Sequence, residues 1–169
     1  MSYYGDSDIG QHIDNLLGLG LGLDYGKAKW GIAQEVNFEY LFRQFDRWVL
    51  KYDGEFYING LFIKPHYYRV NTDSFEYFDY LRIGGASDIR GYLEEEFIVS
   101  RAMWVNIEYK RFFLFPLFDI GRLGDEIQFS YGFGIEAKSD FANASLILAW
   151  PKNGHWRDGK IHLMFEKGF

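Results

Sequence analysis

The sequence contains no cysteine, only three prolines among its 169 residues, and no long apolar run. The absence of cysteine excludes disulfides and thiolate metal sites, and it leaves the cellular compartment undecided. No stretch of about 18 apolar residues is present, so the sequence offers no transmembrane helix. A secretory signal is also missing at Met1, and an exported form would therefore begin here as a processed or partial chain.

Positive charge and catalytic motifs are also scarce. The chain has 18 Lys and Arg against 24 Asp and Glu, a net charge of -6 and a pI near 5.2. A nucleic-acid-binding protein shows a basic surface, so we predict no nucleic-acid partner. His12, His66, His155 and His162 lack metal-ligand spacing, and no Gly-x-Ser-x-Gly elbow occurs. We therefore expect no catalytic residues, no metal site, no cofactor and no enzymatic activity.

Aromatic residues are abundant instead. The chain contains 17 Phe, 13 Tyr and 5 Trp, yet its mean hydropathy is only -0.23. Alternation of apolar and polar residues reconciles these two facts, because a period of two gives a strand one apolar and one polar face. Nine candidate strands are Leu17–Asp24, Trp30–Phe42, Arg47–Ile58, Leu61–Val70, Arg101–Lys110, Phe115–Leu123, Glu126–Lys138, Ala144–Trp150 and Lys160–Phe169.

The chain length favours a single domain. We expect residues 1–10 to be a loose N-terminal end and residues 11–169 to form one all-β domain. Between the fourth and fifth candidates lies a segment of about thirty residues, 71–100, that we predict to be a functional loop. Its aromatic residues argue against disorder.

The composition of the two strand faces favours a membrane environment. The polar face is rich in Gly, Ser, Ala and Asn, which suits a narrow interior. Aromatic residues of the apolar face lie near strand ends, at Trp30, Phe42, Trp48, Trp150 and Phe169. This arrangement predicts an antiparallel transmembrane up-and-down β-barrel in contact with a lipid bilayer or detergent. A soluble lipocalin-like barrel that binds a small ligand is the alternative.

The number of strands decides whether the predicted barrel is wide enough to contain a channel. A single-chain bacterial barrel has an even number of strands, so we expect about eight. Either the proline-bearing Leu61–Val70 or the first candidate is then not a full strand, or a second chain completes the barrel. An eight-stranded barrel is filled by side chains, which argues against translocation through its middle.

One segment departs from the alternation, Gly84-Gly85-Ala86-Ser87-Asp88-Ile89-Arg90-Gly91-Tyr92. Its glycines permit close backbone approaches. The pattern Gly-Gly-x-x-x-x-Arg-Gly-Tyr, followed by the strand Asn106-Ile107-Glu108-Tyr109, resembles the lid-loop signature of the bacterial surface antigen superfamily. These are the BamA- and TamA-type outer-membrane assembly and translocation barrels. The resemblance covers roughly Leu16 to Phe169 and corresponds to the C-terminal half of such a barrel.

The resemblance implies an extracellular loop folded toward the lumen, with Arg90 pointing inward. The lid-loop residues are Gly84, Gly85, Arg90, Gly91 and Tyr92. Asp119, in Phe118-Asp119-Ile120-Gly121, is the leading implied partner of Arg90, and Glu108 is the second. Alternation independently places both carboxylates on the polar, inward face. The alternative is that each charge only solvates the lumen wall.

The last strand alternates to its aromatic end. Phe165, Gly168 and Phe169 resemble the C-terminal signal through which the barrel assembly machinery binds outer-membrane proteins. The implied location is the bacterial outer membrane, and the implied role is structural or lies in the insertion of outer-membrane proteins. A non-catalytic membrane anchor for a partner or an upstream enzyme domain is the alternative function.

Overall fold

Antiparallel β-strands make up most of the protein. The computed structural model describes residues 15–27, 29–42, 47–72, 79–138 and 142–167. The strands are β1 Asn15–Lys27, β2 Trp30–Phe42, β3 Arg47–Ile58, β4 Leu61–Thr72, β5 Leu81–Ile83, β6 Phe97–Val99, β7 Arg101–Tyr109, β8 Leu114–Leu123, β9 Glu126–Lys138, β10 Ala142–Pro151 and β11 Lys160–Lys167. A short 3-10 helix, Trp156–Asp158, precedes β11. The predicted loose end, residues 1–10, lies outside the described residues.

Nine of the strands form one meandering sheet. Its order is β1-β2-β3-β4-β7-β8-β9-β10-β11, and every strand is antiparallel to its neighbours. The all-β, antiparallel prediction is therefore confirmed. The prediction of about eight strands is wrong, because all nine candidates are strands of this sheet. The sheet is also not closed into a barrel, since no pairing joins β1 to β11 in the described residues.

The expectation that either the first candidate or the proline-bearing Leu61–Val70 is not a full strand is wrong, because both are full strands. β1 has 13 residues, and β4 has 12 although Pro65 lies inside it. The β3–β4 ladder has no pairing at Gly54 and Glu55, which lie opposite Pro65 and its neighbour. Proline has no N–H to donate, so the ladder is interrupted there. Pro65 still lies opposite Val105 of β7, and the strand continues.

The predicted loop 71–100 is shorter and more regular than expected. β4 extends to Thr72, because Thr72 pairs with Arg47 at the start of β3. Within the described part of the loop, β5 and β6 form a two-stranded antiparallel ribbon. We call residues 79–100 the lid.

Side-chain exposure alternates along the large sheet and defines two faces. In β8 every second residue is exposed and every other one is buried, from Leu114 to Leu123. We call the exposed side the outer face. Its strongly exposed apolar residues include Leu19, Leu21, Leu23, Val36, Met103, Ile120, Ile127, Tyr131, Phe133, Ile135, Leu146, Ile161, Leu163 and Phe165.

The opposite, inner face is covered by the lid. Lid residues Ile83 and Ile89 are 2% and 0% exposed, and they pack against Val49, Trp104 and Leu123 of the sheet. The inner face, which we expected to be rich in small and polar residues, thus also carries an apolar cluster beneath the lid. Burying such side chains stabilises the lid by roughly 1.5–3 kcal/mol each, so the lid is an integral part of the fold.

Candidate functional site

The turn before Arg90 requires glycine. Gly84 and Gly85 have φ values of 126° and 98°, a region that residues with a Cβ rarely enter. A Cβ on Gly85 would also collide with the Glu94 carboxylate. The Gly84 N–H donates to the Asp88 carboxylate at 3.0 Å, which closes the turn. This turn sets the direction in which the chain enters the inner face.

Arg90 lies at the centre of the site and is 3% exposed. Its Nε donates to Asp119 Oδ2 at 3.1 Å, and its Nη2 donates to Asp119 Oδ1. Its Nη1 donates to Glu108. The structure thus brings Arg90 together with both carboxylates that the resemblance implied. Burial alone would lower the pKa of Arg90, but hydrogen bonds and charge from Asp119 and Glu108 hold it above its ordinary value.

Asp119 is fully buried and accepts hydrogen bonds from several elements. Besides the Arg90 guanidinium, the Arg90 backbone N–H donates to Oδ2 at 2.9 Å. Ser130 of β9 and Asn106 of β7 donate at 2.9 and 2.8 Å. A buried carboxylate is stable only when such donors replace its water. Asp119 therefore joins the lid to three neighbouring strands.

Gly91 and Tyr92 fix the far side of the lid. A Cβ on Gly91 would lie 2.6 Å from the Ser130 side chain and 2.6 Å from the Trp150 backbone. The Tyr92 hydroxyl donates to Gln128 at 3.0 Å and accepts from the Lys152 backbone N–H at 3.3 Å. Close approach at Gly91 thus allows Tyr92 to reach the β10–β11 connection.

Sequence reasoning assigned no role to His162 of β11. Its Nε2–H donates to the Arg90 carbonyl at 2.5 Å, and its Nδ1 lies 3.8 Å from Glu94. Its inward parity on the last strand was the available signal. His162 adds the edge strand β11 to the set of strands that hold the lid.

A second polar cluster lies on the inner face of β3 and β4. Asp53 accepts hydrogen bonds from His66 at 2.6 Å and from Tyr68 at 2.8 Å. His66 stacks on Trp104 with ring centroids 4.7 Å apart. A cavity of about 330 Å³ runs from His66 past Arg90 toward β10 and β11. No sequence motif indicated this cluster, because its members are separated along the chain.

The C-terminal residues are only partly described. Phe165 lies on the outer face of β11 and is 71% exposed, whereas Gly168 and Phe169 lie outside the described residues. In the described ranges, no group of three His, Asp or Glu side chains is arranged to hold a metal ion. No helix in the same ranges is long and apolar enough to cross a bilayer.

Comparison with known proteins leaves the family open. The chain matches no protein-family model and no curated protein. The surface antigen resemblance therefore rests on the residues themselves.

Asp88 gives the lid a predicted pH dependence. Burial raises the pKa of Asp88, while the Gly84 hydrogen bond and the nearby His66 oppose the shift and Glu94 adds to it. A carboxyl whose folded pKa lies above its unfolded value of about 4 costs stability as the pH rises through that interval. We therefore expect Asp88→Asn to make the lid more stable at pH 7 and less dependent on pH.

Thermal unfolding followed from pH 4 to pH 7 measures this effect, because the interval begins at the unfolded pKa of about 4. The matched control is Asp125→Asn, because Asp125 is 93% exposed in the β8–β9 turn. If lid stability has the same pH dependence in Asp88→Asn and in Asp125→Asn, the burial of Asp88 does not cause that pH dependence.

Proposed function

We propose that this chain forms part of the wall of an integral outer-membrane β-barrel of the surface antigen type, with the lid held in the lumen. Its role would be structural or in outer-membrane protein insertion. The observation that carries the proposal is the outer face. Ile127, Tyr131, Phe133 and Ile135 of β9 are 41–57% exposed, although water-soluble proteins rarely expose contiguous apolar surface of this extent.

The inner face supports the same proposal. The inner face buries the charged side chains of Asp119, Glu108 and Arg90. In a water-soluble protein such charges would face water, and the core would be apolar. A transmembrane barrel places apolar side chains toward lipid and polar side chains toward the lumen. In that setting the lid acts as a plug, and the Arg90 ion pairs fasten it.

The two rims of the sheet differ in the length of their connections, and this difference supports the proposal. The turns after Ile58 and Tyr109 are short and lie at one rim. The lid and the connection from Lys152 to Gly159 lie at the other, together with the two-residue β8–β9 turn. Because outer-membrane barrels have short periplasmic turns and longer extracellular loops, the lid rim would face the cell exterior. β11 would then offer its edge to the barrel assembly machinery.

Electrophoretic mobility in detergent tests the proposal. We expect unheated protein to migrate differently from heated protein, and we expect it to remain with membranes after alkaline extraction. Protein that is monodisperse without detergent would contradict the proposal. Binding of a hydrophobic dye by such a soluble form would instead favour the small-ligand barrel.

An arginine scan on the outer face gives a quantitative prediction. Phe133→Arg, near the middle of β9, should cost about 2–4 kcal/mol in a bilayer, whereas Ile127→Arg, beside the β8–β9 turn, should cost about 0–1 kcal/mol. The measurement is urea-dependent folding into lipid vesicles. If the two substitutions cost the same free energy, the position of a residue along β9 does not determine the depth of its side chain in the bilayer, and the prediction is contradicted.

A further inference from the structure

We propose that an arginine cluster on the outer face, formed by Arg69, Arg101 and Arg122, binds the phosphate group of an anionic lipid. The three side chains are exposed and lie at the lid rim of the sheet. The inference rests on the proposed membrane location. It goes further because it assigns one patch of the outer face to one class of lipid headgroup.

Strand register brings the three arginines together. Arg69 of β4 and Arg101 of β7 are direct register partners, so their Cβ atoms lie roughly 5 Å apart. Arg122 of β8 lies opposite Met103, two residues along β7 from Arg101, and such diagonal neighbours are roughly 7 Å apart. All three arginines share the outward parity of Met103. Three positive charges therefore meet on one face.

This arrangement is unfavourable for the protein alone. Like charges that lie directly opposite each other on antiparallel strands destabilise the pair. Within the described ranges, the cluster has one ion pair, which joins Arg122 to Asp125 at 3.5 Å, and the Asp125 side chain is 93% exposed. Arg69 and Arg101 are therefore two close cations for which the described part of the chain supplies no carboxylate.

The surroundings place the cluster at the border of the apolar surface. The guanidinium carbon of Arg69 lies 5.5 Å from the centre of the Trp48 ring on β3, and tryptophan is enriched where membrane proteins meet lipid headgroups. Toward the opposite rim, the outward positions of β4, β7 and β8 are uncharged. They are Leu61, Ile63, Pro65, Tyr67, Met103, Val105, Ile107, Tyr109, Leu114, Pro116, Phe118 and Ile120. The arginines thus stand where the lipid-facing band ends.

The chemistry of the cluster selects a phosphate. Arginine presents a planar fork of donors that binds phosphate oxygens in pairs, and basic clusters beside a bilayer attract anionic lipids. A headgroup phosphate between Arg69 and Arg101 replaces their mutual repulsion with two attractions. A zwitterionic headgroup carries its own cation next to the phosphate, so it compensates the cluster less well.

Thermal unfolding in lipid nanodiscs of two compositions tests the inference. One nanodisc contains only zwitterionic phosphatidylcholine, and the other contains an equal mixture of phosphatidylcholine and anionic phosphatidylglycerol. The variant is Arg101→Gln, which removes the central charge of the cluster. The matched control is Arg157→Gln, because Arg157 is an exposed arginine at the same rim but lies over the Trp156 ring, outside the cluster.

We expect phosphatidylglycerol to raise the unfolding temperature of the unaltered chain and of Arg157→Gln, and we expect Arg101→Gln to lose most of this gain. In phosphatidylcholine alone, Arg101→Gln should unfold at a higher temperature than the unaltered chain, because the repulsion with Arg69 is removed. If Arg101→Gln keeps the gain, or if Arg101→Gln is destabilised equally in both lipids, the inference is overturned.

Native mass spectrometry measures lipid binding directly, with the chain in a neutral detergent and phosphatidylglycerol added. We expect Arg69→Gln and Arg101→Gln each to bind the lipid roughly fivefold more weakly, the effect of one arginine near an anionic membrane surface. Inorganic phosphate should leave the lipid bound, and displacement by it would overturn the assignment to a lipid. Alkaline extraction scores membrane integration separately. An integrated chain without preference for phosphatidylglycerol overturns this inference alone, whereas loss of the chain from membranes contradicts the proposed function itself.

Discussion

Replacing Arg90 with methionine is expected to lower the free energy of unfolding by about 3–5 kcal/mol, because it leaves the buried Asp119 carboxylate without its counter-charge, while Glu108 keeps its ion pair with Lys110. Asp119 and Glu108 are 0% and 5% exposed, so water cannot take over the lost hydrogen bonds. The thermal unfolding temperature in detergent should fall, and the lid should become sensitive to protease.

Arg82→Met is the matched control for this prediction. Arg82 also pairs with a lid carboxylate, Glu95, but this pair is exposed, and exposed ion pairs contribute only about 0–1 kcal/mol. Arg90→Lys should be intermediate, since lysine retains the charge without the two-pronged geometry. If Arg90→Met and Arg82→Met melt at the same temperature, the internal ion pairs do not hold the lid.

Substitution of Gly91 by valine is expected to release the lid from the inner face. The new Cβ would lie 2.6 Å from the carbonyl carbon and oxygen of Trp150, and backbone atoms in a sheet cannot move aside easily. The expected cost is about 3 kcal/mol, the upper part of the range for overpacking. Hydrogen exchange should rise in residues 79–100 while β8 and β9 remain protected.

Gly22→Val is the control for this prediction. It introduces the same branched side chain at a strand glycine but without the steric collision. A Cβ at Gly22 meets nothing nearer than 3.9 Å, so we expect little change. Equal exchange in the lid of both variants would contradict the proposed close packing at Gly91.

Strand alternation was enough to predict the large sheet. Residues such as Phe118 and Asp119 differ so clearly in polarity that a period of two assigns their faces directly. Alternation also placed Glu108 and Asp119 on the inner face before any contact was known. Alternation could not predict that β4 continues through Pro65. The hydrogen-bond ladder is interrupted on only one side of the strand there, and which side depends on the register of the neighbouring strands.

The lid was harder to predict than the sheet. β5 and β6 have three residues each, too few for a period to be distinguished from chance. His162 contacts the Arg90 carbonyl across 72 positions of sequence, and no local pattern encodes such a contact. Closure of the sheet into a barrel was also mispredicted. We assumed an even number of strands in the chain, whereas the sheet has nine, so its edge strands β1 and β11 run in the same direction.

Spin labels along β9 test the membrane-wall proposal most directly. Single cysteines at positions 129–135 in lipid nanodiscs would be labelled, and relaxation by oxygen, which is enriched in lipid, would be compared with relaxation by a water-soluble nickel complex. We predict a period of two, with Tyr131, Phe133 and Ile135 open to oxygen and shielded from nickel, and with buried Ser130 shielded from both. Free access of nickel to the three outer positions would contradict the proposal.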